Sequence, residues 1–130
     1  MKFDKLIPEL MVGDLAKSLN FYRNILGFKI EYEREENKFA FLSFQGSQLM
    51  IQEDNKVWKT GELVYPLGRG INFQIEVKDT NKIIDSLKKN NYPLFRELKE
   101  CRYRVNNKIV KCKEFLVQDP DGYLFRFSEI

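Results

Sequence analysis

Short runs of alternating apolar and polar residues, interrupted twice by apolar residues at helical spacing, predict a chain of mostly strands with two helices. The clearest alternation sets Ile71, Phe73, Ile75 and Val77 against Asn72, Gln74, Glu76 and Lys78, the period of a half-buried strand. Leu15, Ser18, Leu19, Tyr22, Ile25 and Leu26 instead recur at three- and four-residue spacing, between a capping Asp14 and a terminating Gly27. That spacing predicts a helix with one stripe facing a core. Asp79 caps a second helix with Ile83, Ile84 and Leu87 inward, ended by Asn91 and Pro93.

Strands fill the intervals. Leu6 to Val12 reads as a strand whose Pro8 places it at a sheet edge or a strand start. Lys29 to Glu35 is a strand with charged outward positions, and Phe39 to Phe44 with Gln48 to Glu53 form a hairpin around Gln45-Gly46-Ser47. Leu94 to Leu98, Cys101 to Val105 and Ile109 to Leu116 supply further strands, with a turn at Asn106-Asn107. The stretch from Phe115 to Ile130 is a hairpin about Asp119-Pro120-Asp121-Gly122, where Pro120 pre-sets φ and Gly122 can take a positive φ. Past that turn Tyr123, Phe125 and Phe127 share one face, and Leu124, Arg126 and Ser128 the other.

The two halves repeat one plan. Asp14 corresponds to Asp79, Gly27 to Asn91, Phe41-Leu42 to Phe115-Leu116, and Gly46 to Gly122. The fold class expected is therefore α+β, a single domain of two βαβββ modules at about 1–53 and 70–130. Residues 54–69 join them as a loop without periodicity. That loop carries Trp58 and Tyr65, amphipathic rings suited to lining a pocket or a subunit contact, or to pinning the loop to its own domain.

Composition narrows the function. With 43% hydrophobic and 14% aromatic residues the chain has the material for a core and is not a disordered segment. The net charge of +3 mildly favours anionic partners, but the lysines are scattered and no basic run interleaved with aromatics makes a nucleic-acid groove. Met1 is followed by Lys2, Asp4 and Lys5 with no apolar run for a signal or spanning helix, so the expectation is a cytoplasmic protein without a membrane contact. The absence of histidine excludes His-dependent triads and acid–base steps. Cys101 and Cys112 could face each other across a hairpin as reduced thiols. With neither histidine nor a second cysteine pair they do not make a tetrahedral zinc site.

Two stretches resemble one family. Phe115-Leu-Val-Gln-Asp-Pro-Asp-Gly-Tyr-Leu124 is similar to the C-terminal hairpin of the glyoxalase/bleomycin-resistance/extradiol-dioxygenase superfamily, also called vicinal oxygen chelate proteins. The run Val12 to Phe28 resembles its opening strand, helix and turn. The resemblance implies modules whose curved sheets surround a shared cleft. In metal-dependent members it further implies a metal held by histidines and carboxylates from the first strand and the hairpin strand of each module. At those positions, counted from the capping aspartates and the hairpin glycines, this chain has Ile7, Met50, Asn72 and Arg126. None is a usual ligand for a catalytic divalent metal, so no metal and no cofactor is expected.

The sequence resembles instead the metal-free, drug-sequestering branch, which binds a ligand in clefts at a dimer interface. The expected partners are thus a small molecule, antibiotic-like or aromatic, and a second copy of the chain. Bleomycin itself is cationic and fits a basic chain poorly. The expected ligand-binding residues are Ile7, Met50, Asn72, Gln74, Leu124 and Arg126, with Trp58, Tyr65 and Tyr103 as aromatic members. Arg126 needs a partner, either an internal glutamate, Glu9 or Glu76 by strand position, or an anionic group on the ligand. Two other classes stay open. One is an enzyme with a non-standard site, using Glu9, Glu76 or Glu114 as a base near Arg126; the other is a dimeric interaction module without a ligand.

Overall fold

Both expected helix caps form. In the computed structural model, which describes residues 1–130, Asp14 accepts a hydrogen bond from the Lys17 N–H (3.1 Å) and Asp79 from the Lys82 N–H (3.2 Å). A second carboxylate serves each helix start. Glu53 Oε2 accepts from the Leu15 N–H (3.1 Å), and Glu129 Oε1 accepts from the Thr80 N–H (2.8 Å) and hydroxyl (3.1 Å). Each glutamate ends the last strand of its own half, so the repeat extends to how a strand end is tied to a helix start.

The chain divides into two compact units, Met1–Tyr65 and Pro66–Ile130. The first contains β1 (Glu9–Val12), α1 (Leu15–Leu19), β2 (Lys29–Arg34), β3 (Phe39–Phe44) and β4 (Ser47–Glu53), with sheet order β1-β4-β3-β2. The second contains β5 (Asn72–Glu76), α2 (Thr80–Lys89), β6 (Arg96–Val105), β7 (Lys108–Gln118) and β8 (Leu124–Glu129), ordered β5-β8-β7-β6. In each unit the first strand pairs parallel to the last, and the remaining pairs are antiparallel. This is the expected α+β architecture of two βαβββ modules. Pro8 precedes β1, which lies at a sheet edge, where its missing N–H costs no ladder bond.

Three details depart from the sequence reading. Residues Asn20–Leu26 continue α1 as a π-helical segment, ended by Gly27 at φ +93°. Its wider turn brings the adjacent Phe21 and Tyr22 both into the core, where their rings meet edge to face at 5.0 Å; the expected stripe lacked Phe21. The strands expected at Leu94–Leu98 and Cys101–Val105 are one strand, β6, with a register shift between Arg96 and Lys99 that absorbs the break in pattern. Finally, the equivalence of Phe41-Leu42 with Phe115-Leu116 is off by one. Phe41 pairs with Met50 and Leu116 with Arg126, so Leu116 holds the place of Phe41. The β7–β8 turn is longer than the β3–β4 turn, and that shifts the count on one side of the hairpin.

The second unit's core follows from alternation. Phe115, Phe125 and Phe127 are fully or almost fully buried on one face of the sheet, and α2 approaches β7 and β8 with Ile83, Ile84 and Leu87 buried. Each such ring contributes about 1.5–3 kcal/mol by leaving water. The hairpin turn is bound to its own unit: Asp119 Oδ1 accepts from the N–H groups of Asp121 and Tyr123 (both 2.9 Å), and the Leu67 N–H donates to the Asp121 carbonyl (2.9 Å).

Gly122 sits at φ +98° with Pro66 so close that an added Cβ would stand 2.6 Å from the Pro66 Cα, whereas Gly46, at φ +88°, has nothing within 4 Å. Gly46→Ala is expected to cost about 1–2 kcal/mol for the left-handed backbone alone. Gly122→Ala should cost about 2–4 kcal/mol, because backbone overlap adds to the strain. Urea denaturation of the two variants measures the difference; equal losses would refute the close approach.

Candidate functional site

The ladder of the second sheet decides which side chains meet. β5 and β8 run parallel in register, pairing Asn72 with Leu124, Gln74 with Arg126 and Glu76 with Ser128. β7 and β8 pair Glu114 with Ser128 and Leu116 with Arg126, and β6 and β7 pair Cys101 with Cys112 and Lys99 with Glu114. Asn72, Gln74, Arg126, Ser128, Glu114, Cys112, Cys101 and Tyr103 therefore share the face opposite the buried phenylalanines.

Arg126 is engaged on every side. Its Nε donates to Asn72 Oδ1 (2.7 Å), one terminal nitrogen to Gln74 Oε1 (2.8 Å), and the other lies 3.6 Å from Glu114 Oε1. The glutamate partner is thus Glu114, which corrects the expectation of Glu9 or Glu76. Glu9 belongs to the first unit, where Arg34 is its charged neighbour, and Glu76 lies exposed one pair further along the ladder. Glu114 reaches Arg126 as its diagonal neighbour across β7 and β8.

Glu114 is the centre of the arrangement, with only 1% of its surface exposed. Oε1 accepts from the Tyr103 hydroxyl (2.9 Å) and from Arg96 (3.2 Å), and Oε2 accepts from the Ser128 hydroxyl (2.9 Å). Burial by itself would raise the Glu114 carboxyl. The hydrogen bonds from Tyr103, Ser128 and Arg96, with the charge of Arg126, outweigh it and hold the group below the ordinary carboxylate range. The same hydrogen bond, with the neighbouring negative charge, pushes Tyr103 up to about 12, so it stays a neutral donor. Burial raises the Cys112 thiol, and the negative charge of Glu114 adds to this.

The other expected site residues fall in both units. Leu124 is half-buried beside Asn72, and in the first unit Met50 and Ile7 are half-buried around the start of β1, with the Met50 N–H donating to the Pro8 carbonyl. Trp58 and Tyr65 are 65% and 61% exposed. The backbone at Trp58 is held by Asn55, whose Oδ1 accepts from the Val57 and Trp58 N–H groups. Lys56 and Lys59 pair with Asp54, and hydrogen bonds from Lys59 and the Lys56 backbone pull its carboxyl down to about 2. Residues that the sequence reading did not place in the site are Arg96, Cys101, Cys112 and Ser128. Their signal is the register of β6, β7 and β8, which is fixed only when the turn length and the shift in β6 are known.

These donors do not fit the divalent metal implied by metal-dependent members of the family. Ile7 and Met50 offer a hydrocarbon and a thioether, the Asn72 amide oxygen already accepts from Arg126, and Arg126 puts a permanent cation where a ligand would stand.

The low pKa of Glu114 gives a stability prediction with a definite sign. A carboxyl whose folded pKa is depressed contributes above its unfolded value of 4.5 and loses that contribution as pH falls through the folded value. Glu114→Gln should cost about 1–3 kcal/mol at pH 7. The deficit should shrink below pH 4.5, as the wild-type carboxylate takes up a proton. Chemical denaturation of both proteins across that range checks this; a pH-independent deficit would contradict it.

The comparisons with known proteins agree with the fold. The Glyoxalase/Bleomycin resistance protein/Dioxygenase superfamily matches residues 5–127. A lactoylglutathione lyase from Neisseria meningitidis serogroup A is 30% identical over 127 residues, covering 92% of this chain and 86% of that protein. In fold, the chain is similar to a hypothetical protein from S. aureus (TM-score 0.70, 18% identity, covering 100% of this chain and 96% of that one). It is also similar to a glyoxalase/bleomycin resistance protein/dioxygenase from Alicyclobacillus acidocaldarius (TM-score 0.63, 23% identity, covering 99% and 94%). No helix is long and apolar enough to cross a membrane. The match across nearly the whole chain, on a fold of two βαβββ modules, means that the chain belongs to the glyoxalase/bleomycin resistance protein/dioxygenase superfamily.

Proposed function

We propose that this chain is a metal-free small-molecule-binding protein of the bleomycin-resistance type, acting by sequestration of an antibiotic-like or aromatic ligand without chemistry. The observation that carries the reading is Arg126, whose guanidinium occupies a metal-ligand position of the family and is bonded to Asn72 and Gln74. Acid–base chemistry is poorly served as well. Glu114, the carboxylate nearest Arg126, is saturated with donors and held ionised, a weak base at neutral pH. In this reading the second unit contributes the exposed Asn72, Gln74 and Tyr103 with the half-buried Leu124, and the candidates on the first unit are the half-buried Ile7 and Met50 and the exposed rings of Trp58 and Tyr65.

Assembly into a homodimer belongs to the same reading. Val57, Trp58, Val64 and Tyr65 leave a run of exposed apolar side chains along the end of the first unit, surface that a second copy can cover. Sedimentation at micromolar concentration should show a dimer; a monomer throughout would reject this part.

The competing reading is a lyase acting on lactoylglutathione, favoured by the name of the 30% identical Neisseria relative. One experiment separates the two. Purified protein should hold no stoichiometric divalent metal and show no metal-dependent turnover of lactoylglutathione. In a thermal-shift screen of glycopeptide and polyketide antibiotics and aromatic metabolites, a specific ligand at 100 times its Kd should add about 2.7 kcal/mol of stability. The fluorescence of Trp58, the single tryptophan, should respond to the same compound. Metal-dependent turnover abolished by a chelator would overturn the proposal.

A further inference from the structure

We propose that Cys101 and Cys112 form a two-coordinate binding site for a soft monovalent cation such as Cu(I). The two residues are direct partners in the β6–β7 ladder, both buried, and both free thiols. Their sulfurs and a carboxylate oxygen of Glu114 lie within 4.8 Å of one another. An ion bound at roughly 2.3 Å from each of two sulfurs spans at most about 4.6 Å between them, which is compatible with two thiols that lie within 4.8 Å of one another.

The surroundings select the kind of ion. Glu114 is close enough to be a third ligand, but its oxygens are taken by Tyr103, Arg96 and Ser128. The chain has no histidine, so the four-donor set that zinc requires is not present at this place. Two thiolates alone suit soft ions that accept linear coordination. Charge points the same way. Arg96 and Arg126 both face the single carboxylate of Glu114, which leaves one positive charge in excess. Binding a monovalent ion to two thiols releases two protons and forms a bis-thiolate complex of charge minus one, which neutralises that excess. A divalent ion would form a neutral complex and leave the excess uncompensated. Arg96 is placed to serve the complex directly: one terminal nitrogen lies 3.8 Å from the Cys101 sulfur, and its buried Nε has no hydrogen-bond partner. Tyr103, 42% exposed, lies two residues along β6 from Cys101 on the same face, and its hydroxyl donates to the Glu114 carboxylate beside the sulfurs.

The test is an anaerobic titration of the reduced full-length protein with Cu(I) buffered by bicinchoninate. One equivalent should be withdrawn, with a thiolate-to-metal ultraviolet band, and the affinity should fall by at least about tenfold, roughly 1.4 kcal/mol, in Cys101→Ser and in Cys112→Ser. X-ray absorption at the copper edge of the wild-type complex, which depends on no variant, should show two sulfur neighbours. Failure to withdraw Cu(I), full binding in either serine variant, three or more neighbours, or equal uptake of zinc from a buffered chelator would each overturn the assignment.

Discussion

A carboxylate shielded from water in the middle of a sheet must find its solvation among neighbouring side chains, and the polar face of the second unit is arranged around that need. Glu114 takes donors from both adjacent strands, Arg96 and Tyr103 on β6 and Ser128 and Arg126 on β8. Arg126 then reaches β5 through Asn72 and Gln74, so one chain of polar contacts crosses all four strands. Removing one member leaves its neighbours short of a partner on a partly buried face, so losses within the network are coupled.

The first unit shares the plan but not this chemistry. Register sets Glu9 beside Met50 as it sets Gln74 beside Arg126, yet the neighbouring positions on that face are aromatic. Tyr32 stacks on Phe41 at 5.1 Å, Phe3 meets Phe41 edge to face, and the Arg34 guanidinium lies 3.9 Å over the Phe39 ring. On that face the two modules therefore differ, one packing aromatic rings of which Phe39 and Phe41 are buried, the other holding fixed polar groups.

How much of this was legible in the sequence depended on the range of the interaction. Caps and turns are local, and Asp14, Asp79, Gly27 and Asp119 through Gly122 announced them by residue type alone. Alternation was enough to put Asn72, Gln74 and Arg126 opposite Phe73 and Phe125. It could not identify Glu114 as the partner of Arg126, because that contact is diagonal across a hairpin whose turn is longer than its counterpart in the first half. The same longer turn misaligned Phe41 with Phe115. The shift between Arg96 and Lys99 hid Arg96 entirely, since a bulge changes which face a side chain takes without leaving a mark in the apolar pattern. The π-helical segment was unreadable for a related reason: the spacing of its apolar residues also fits an ordinary helix.

Arg126 is an internal strut bound to Glu114, and a double-mutant cycle measures that bond without reference to any ligand. Arg126→Met, Glu114→Gln and the double variant are compared with wild type by urea denaturation at pH 7 and low salt. A shared network requires the double variant to lose less than the sum of the single losses, with a coupling of roughly 0.5–3 kcal/mol. Losses that add within about 0.3 kcal/mol would show that the two charges do not support one another and would contradict the account.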